Sequence, residues 1–397
     1  IFRQSIPRQV SMPQAFRRAG YFVGRIGKLY HYNVPKSIGT NGHDDPASWE
    51  LELNPAGVDR LEEEPEIFSL RPGQFGATLS WCASPQPDAR HTDGMLAADA
   101  EWVLERCARD PSRPFFLAVG FFRPHTPYVA PRDPYFGWHP EAEMPIVTGV
   151  EADQADLPPP ALGSFHKEEA TLTAEQRRQC RQAYNASISF MDAQVGRVLA
   201  AVDRLGLADD TIIVFTSDHG YHMGEHGLWQ KMSLFEQSAR VPLVIAGPGV
   251  KQAGGVAKAP VSQVDLFPTL AALCDVATPD NLQGQSLVPL LADPAEPGRG
   301  WALTQVTRRD GKNRFFGYSL RTPRWRYTEW DDGRAGRELY DHETDPGELT
   351  NLAEAPAHAA TVADLSATLR QAAAATYPAD GQIPEVKPGG WEISLQD

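Results

Sequence analysis

Cysteine is scarce in this sequence. Its four occurrences, Cys82, Cys107, Cys180 and Cys274, show no CxxC or CxxxH spacing, which excludes a zinc finger. Cys107 and Cys180 lie in helix-like surroundings and Cys274 ends an apolar helix, so all four read as buried free thiols rather than disulfides. No apolar run approaches the roughly 20 residues of a membrane span, and no basic, apolar and small-residue leader opens the chain. Basic residues are in deficit: 37 Lys and Arg face 51 Asp and Glu, a net charge of -14 with a pI near 5.3. That balance disfavours nucleic acid as a partner, because such binding rests on neutralising phosphates. Internal repeats and low-complexity tracts are missing as well. The first residue is Ile1 rather than Met, which reads as a start partway into a longer polypeptide.

What is present is a globular composition, 42% hydrophobic and 22% charged. The 397 residues exceed the roughly 250 to 300 at which one core stops growing, so a large domain and a smaller one are expected. A helix is predicted over 11–18, with Ser11 as cap, Pro13 in its first turn and Gly20 as its stop, followed by a strand over 21–26. Residues 33–90 have little periodicity and read as long surface loops. Residues 92–109 have helical spacing and lead to the apolar run Phe115 to Val119. Thr173 and Gln176 form a capping box for a helix to about residue 205 whose expected apolar stripe is Ile188, Met191, Val195, Val198, Leu199 and Val202. Strands over 211–216 and 241–246 and helices over 233–240 and 264–273 continue the alternation. The pattern predicts an α/β fold, a largely parallel mixed sheet sandwiched by helices. After 293–300 it changes to strands over 316–321 and 325–330 and a helix over 357–375. We therefore expect a catalytic domain over 1–292 and a C-terminal α+β subdomain over 293–397.

Ligands of open α/β sheets collect beyond the carboxyl ends of strands. Four such places carry chemistry: Lys28 and His31 in GKLYH, His125 in FFRPHTP, Asp218 and His219 in TSDHG, and Lys231 in GEHGLWQKMSLFE. An adjacent carboxylate and imidazole suit a divalent cation, while lysines and histidines suit an anion. The set describes a metal-assisted centre for an oxyanion ester, with lysines stabilising charge and a histidine moving the proton. Sulfate and phosphate esters both fit. The stretch over 1–43 is basic, with seven Lys and Arg and no acid. His222 and His226 are four apart, the spacing of a helical metal pair, but Gly220, Gly224 and Gly227 favour a loop, with both histidines behind the first ligands, facing substrate, or merely polar.

The run TSDHGYHMGEHGLWQKMSLFEQSARVPLVIAGPG resembles the signature of the sulfatases of the alkaline phosphatase superfamily. GRIGKLYH, FFLAVGFFRPHTPY, SQVDLFPTLAALC, LQGQSLVPLL and ELYDHETDPGELTNLA resemble further segments of that family, so the likeness covers almost the whole chain. GYSLRTPRWRYTEW and AYNASISFMDAQVGRVL resemble its iduronate-2-sulfatase branch most. The resemblance implies that Asp218 and His219 ligate calcium, that Lys28, His31, His125 and Lys231 are catalytic, and that His125, Lys231 and His222 bind substrate. It further implies a formylglycine nucleophile made from the cysteine of a CxPSR motif, with His31 or His125 assisting sulfate release.

That motif does not occur in this sequence, and neither does the family's early Asp-Asp pair. Cys82, in CASPQP, does not match it and follows GKLYH, whereas the family's nucleophile precedes that segment. The expectation is that the nucleophile lies upstream of Ile1 and that none of these residues supplies it. The leading reading is a calcium- and formylglycine-dependent sulfatase acting on a sulfated saccharide, periplasmic or secreted as its relatives imply. Alternatives are a phosphoesterase or phosphonate monoester hydrolase of the same superfamily and a noncatalytic carbohydrate-binding relative. Trp49, Trp81, Trp138 and Trp229 are candidates both for stacking on sugar rings and for core packing.

Overall fold

The first helix, α1 (Met12–Arg18), starts where its cap requires: Gln14 N donates to Ser11 Oγ at 3.2 Å. Gly20 at φ +92° ends the turn that follows. This helix opens the part of the chain that a computed structural model describes, residues 9–377. Those residues divide into two units, 9–146 with 171–211 and 147–170 with 212–377.

In the first unit, β1 (Phe22–Gly27) is flanked in parallel by β2 (Leu51–Leu53) and β5 (Phe115–Gly120). β1 is buried at five of its six positions, as a strand covered on both faces must be. A second sheet places β4 (Ser80–Ser84) between the antiparallel β3 (Phe68–Ser69) and the parallel β6 (Tyr128–Pro131). The span 33–90 thus contains β2, β3 and β4 and is not loop alone; three residues or fewer of β2 and β3 leave no period for a sequence reading to detect. Helix α2 (Thr92–Arg109) brings Leu96, Ala100 and Val103 against Ile26, Tyr32 and Phe122 in the main core of this unit. Each large apolar side chain buried there contributes about 1.5 to 3 kcal/mol.

Helix α3 (Ala174–Arg204) has the expected capping box, with Thr173 and Gln176 exchanging hydrogen bonds of 3.0 and 3.1 Å. Its wholly buried face differs from the expected stripe, running through Ala183, Ala186, Ser187, Phe190 and Gln194. Ile188, Met191, Val195 and Val198 are half-buried and Leu199 is exposed; of the expected set only Val202 is fully buried. The small residues win because the helix lies close against Ala130 and Tyr135, where Ala186 and Phe190 fill the space.

In the second unit, β7 (Ile213–Thr216) pairs antiparallel with β10 (Leu243–Ala246). Between them lie a hairpin of β8 (His222–Met223) and β9 (Trp229–Gln230) and the short helix α4 (Glu236–Ala239). The strand pairing is therefore mixed, within an α/β fold. Helix α5 (Leu266–Leu273) follows. Beyond residue 293 an antiparallel sheet runs in simple order through β11 (Ala302–Asp310), β12 (Asn313–Arg321), β13 (Trp325–Trp330) and β14 (Arg337–Asp341). Helix α6 (Ala359–Ala374) covers it, with Leu369, Ala372 and Ala373 on Tyr318, Leu320, Tyr327 and Leu339. Among the described residues no helix is long and apolar enough to cross a membrane.

Candidate functional site

The candidates fall into a group in each unit. In the first unit, Lys28 leaves the end of β1, its N–H donating to Gly120 O at 2.8 Å. A Cβ on Gly120 would lie 1.7 Å from Lys28 O, and one on Gly27, at φ +71°, would lie 2.3 Å from Gly120 O. Only glycines allow the two strand ends to cross this closely. The loop beyond is anchored from within by Arg25, wholly buried on β1, which donates to Gly27 O (2.5 Å), Tyr32 Oη (2.9 Å) and Asn54 Oδ1 (3.1 Å) and pairs with Glu52 (3.2 Å). Tyr32 Oη donates to Thr40 O at 2.9 Å. His31 is exposed, its ring edge-on to His43 at 5.8 Å.

His125 sits half-buried in a turn built by two residues that local sequence gives no reason to single out. Asp93, in the first turn of α2, accepts from Phe122 N and Arg123 N, both at 2.9 Å. Burial pushes its carboxyl up to about 6, against the pull of Arg123 and the two amides. Arg123 pairs with buried Asp59 at 2.6 Å and donates to Pro127 O at 2.8 Å, closing the turn around the histidine. His125 Nδ1 is 2.7 Å from Thr126 O. A carbonyl only accepts, so Nδ1 carries the proton and Nε2 is the basic nitrogen, the form suited to accepting a proton or an acidic ligand.

In the second unit, Asp218 and His219 follow β7. The Asp218 side chain is 59% exposed. His219 Nδ1 donates to Gly220 O at 2.8 Å, making Nε2 the basic nitrogen, and Asp218 Oδ2 lies 3.6 Å from it. Two ligands each about 2.4 Å from one cation and slightly more than a right angle apart have this spacing. The pair therefore fits a divalent cation, supplying one hard oxygen and one imidazole nitrogen. Gly220 holds the loop against α4: its N–H donates to Ser238 O at 2.8 Å, and a Cβ there would lie 2.1 Å from Gln237 O.

Lys231 follows β9 between Gln230 (φ +71°) and Met232 (φ +73°), both non-glycine residues in the left-handed region. His222, expected to meet substrate, is instead wholly buried, its Nε2 2.7 Å from Ser233 Oγ. Burial and neighbouring His226 push it down to about 3, so it is a neutral scaffold group. His226, at φ +57°, stacks on Phe235 (3.8 Å, 12°) and bonds Asp153 at 3.1 Å. The segment is a hairpin, not a helix, so the spacing of four between the two histidines does not put them on a helical metal-binding face.

Glu236, His342 and Glu348 also approach closely enough to suggest an ion. Two guanidiniums already occupy that place: Arg326 pairs with both glutamates, and Arg321 with Glu236 at 3.3 Å. Two cations against two carboxylates leave no charge for a metal to neutralise. Cys82 is half-buried, and burial, then Glu63 and Glu66, push its thiol up to about 11, the opposite of an activated nucleophile. Of the four tryptophans, Trp49, Trp81 and Trp229 are buried, whereas Trp138 is 60% exposed and rests edge-on against Tyr135.

Comparison with known proteins gives the family and the fold. The Sulfatase family profile matches residues 3–276, and that of the N-sulphoglucosamine sulphohydrolase C-terminal region matches 224–375. A choline-sulfatase of Rhizobium meliloti is 36% identical over 368 residues, covering 89% of this chain and 69% of that protein. The iduronate 2-sulfatase of Homo sapiens is 29% identical, covering 86% and 76%. A phosphonate monoester hydrolase of Agrobacterium radiobacter superposes with a TM-score of 0.70 at 26% identity, covering 92% of this chain and 80% of that one. The chain spans 62% to 76% of the length of the curated relatives it matches.

Proposed function

The chain belongs to the sulfatase family, and from that membership we propose that it hydrolyses an O-sulfate ester of a sulfated saccharide. The observation that carries the reading is the Asp218–His219 pair, a cation-fitting donor set just beyond β7, in the TSDHG run that resembles the family's signature. The cation we propose is calcium; when bound it neutralises the nonbridging oxygens of the ester. Formylglycine is the proposed nucleophile, and its CxPSR precursor is not among these residues.

The chain's own residues have assigned roles in this reading. Lys28 and Lys231 hold negative charge on the sulfate, and removing one such contact costs about a hundredfold or more in turnover. His125, once Nε2, its basic nitrogen, has taken up a proton, passes that proton to the leaving oxygen, and His31 assists release of sulfate. A saccharide is the substrate class because the human relative is named an iduronate 2-sulfatase and Trp138 offers an exposed ring face. A periplasmic or secreted location goes with that substrate. The likeness to the Agrobacterium hydrolase favours a second reading, phosphonate or phosphate monoester hydrolysis in the same frame.

The test is the full-length protein, expressed with a formylglycine-generating enzyme, on 4-nitrophenyl sulfate, the matching phosphate and phenylphosphonate, choline sulfate and sulfated disaccharides, with metal content measured alongside. Sulfate release strongly preferred over phosphate release, with bound calcium lost in Asp218→Ala, is expected. Preferred phosphonate release moves the assignment to the second reading, and saccharide binding without turnover to a noncatalytic one.

A further inference from the structure

Building on the reading in which Lys231 holds the sulfate, we propose that Glu169 and Arg308 are positioning residues that aim Lys231 by fixing the backbone on either side of it. Gln230 and Met232 stand in a region of φ that L side chains rarely adopt, and such conformations persist only where the surroundings over-determine them. Here the surroundings are specific. The Gln230 side chain is buried, and its Nε2 donates to Glu169 Oε1 at 2.8 Å. Glu169 is itself buried, and its other oxygen has no hydrogen-bond partner.

On the far side, Met232 O accepts from Arg308 Nη2 at 2.7 Å. The Met232 side chain is 58% exposed, so apolar burial does not hold this residue; its backbone bond does. Arg308 is fixed in turn by Pro160 O at 2.8 Å and by the Trp330 ring, 5.1 Å from its guanidinium. Lysine carries its charge on a flexible four-carbon stem, so a fixed backbone at both neighbours limits where the ammonium goes. A misplacement of about 1 Å at a reacting centre costs on the order of a hundredfold in rate.

The experiment measures kcat and KM on 4-nitrophenyl sulfate, with thermal denaturation, for the full-length protein carrying Glu169→Ala, Glu169→Gln or Met232→Gly, each with Lys231 and with Lys231→Ala. Glu169→Ala is expected to lower kcat about ten- to a hundredfold. Glu169→Gln, whose amide oxygen still accepts from Gln230, is expected to restore most of it. Met232→Gly relieves the strained φ, so the melting temperature holds or rises while kcat falls, a divergence that a merely structural role does not produce. With Lys231→Ala in place, Glu169→Ala should change kcat by less than about twofold, because coupled residues are not additive.

If Lys231→Ala abolishes turnover while Glu169→Ala and Met232→Gly leave kcat intact, the positioning inference fails and the role of Lys231 stands. If Lys231→Ala leaves turnover unchanged, the role of Lys231 fails and takes the inference with it. A full Glu169→Ala effect without Lys231 also overturns the inference, placing Glu169 elsewhere in the reaction. Should Glu169→Ala not fold, Met232→Gly decides alone.

Discussion

Glu348 has no accessible surface and stands at φ +60°. It accepts from Glu236 N at 2.7 Å and from His342 Nε2 at 2.8 Å, and it pairs with buried Arg326. Burial alone would raise its carboxyl; Arg326, His342 and the Glu236 amide outweigh it and hold the group at about 2. Removing one partner of a buried pair costs about 3 to 5 kcal/mol, because the other charge is left uncompensated. Glu348→Gln is expected to lose about 3 kcal/mol at pH 7 in urea denaturation. The folded carboxyl lies below its unfolded value of about 4.3, so its contribution is present above that pH and is lost as pH falls toward about 2. The gap between wild type and variant should close over that interval, and a gap independent of pH would show that the charge is not what matters. The segment ELYDHETDPGELTNLA stands out in the sequence, but Arg326 and Glu236, 22 and 112 residues away, do not. Residues that act through distant partners have no local pattern, which is also why Asp93, Arg123 and Arg308 are invisible until the chain is folded.

At the scale of elements, the sequence is legible where a signal is local. The caps at Ser11 and Thr173, the short strand β1 and the continuous apolar run of β5 lie where expected because each depends on neighbours within a few residues. Thr173→Ala should therefore lower stability by about 1 kcal/mol, read as a shifted denaturant midpoint with an unchanged slope. Thr173→Ser, which keeps the oxygen that accepts from Gln176 N, should not shift it. Legibility ends where the partner decides. The return of β10 antiparallel to β7 is set by the hairpin and α4 between them, and apolar content does not encode strand direction. The buried face of α3 went to Ala186 and Phe190 because the neighbouring β6 region selects for fit, whereas a stripe of Ile, Met and Val measures hydrophobicity alone. Among the candidate site residues, strand-end logic singled out Lys28, His31, His125, Asp218, His219 and Lys231, and Lys28 and Asp218 do follow closely on β1 and β7. His222, which the family resemblance set against substrate, is buried on Ser233, because a histidine in a glycine-rich hairpin looks the same in sequence whether its ring faces solvent or the core.

Across the whole molecule, buried ionisable groups set how stability varies with pH. Burial, offset in part by hydrogen bonds from Gln230 to Glu169 and from Trp330 and Tyr340 to Glu338, pushes each of these glutamates up to about 7. Between about pH 4.3, their unfolded value, and the folded value, the native state binds protons that the unfolded chain has released, so stability falls as pH rises through that window. The buried imidazoles act in the opposite sense: burial lowers His91 and His222, so folding without their charge becomes easier as pH rises toward about 6.5. Asp93, at about 6, is spent over the same range. Above pH 6.5 the unfolded imidazoles lose their remaining charge, about a quarter of it still present at pH 7, and the two glutamates outweigh them. With both half-protonated near pH 7, the native glutamates hold about one proton while the two unfolded imidazoles hold about half a proton, and the difference corresponds to a loss of about 0.7 kcal/mol per pH unit. Denaturant titrations at pH 6.5, 7 and 7.5 should show this decline, and Glu169→Gln and Glu338→Gln should each remove most of it. A flat profile in the wild type would mean that water or local rearrangement solvates these carboxyls, and that their burial does not govern their charge.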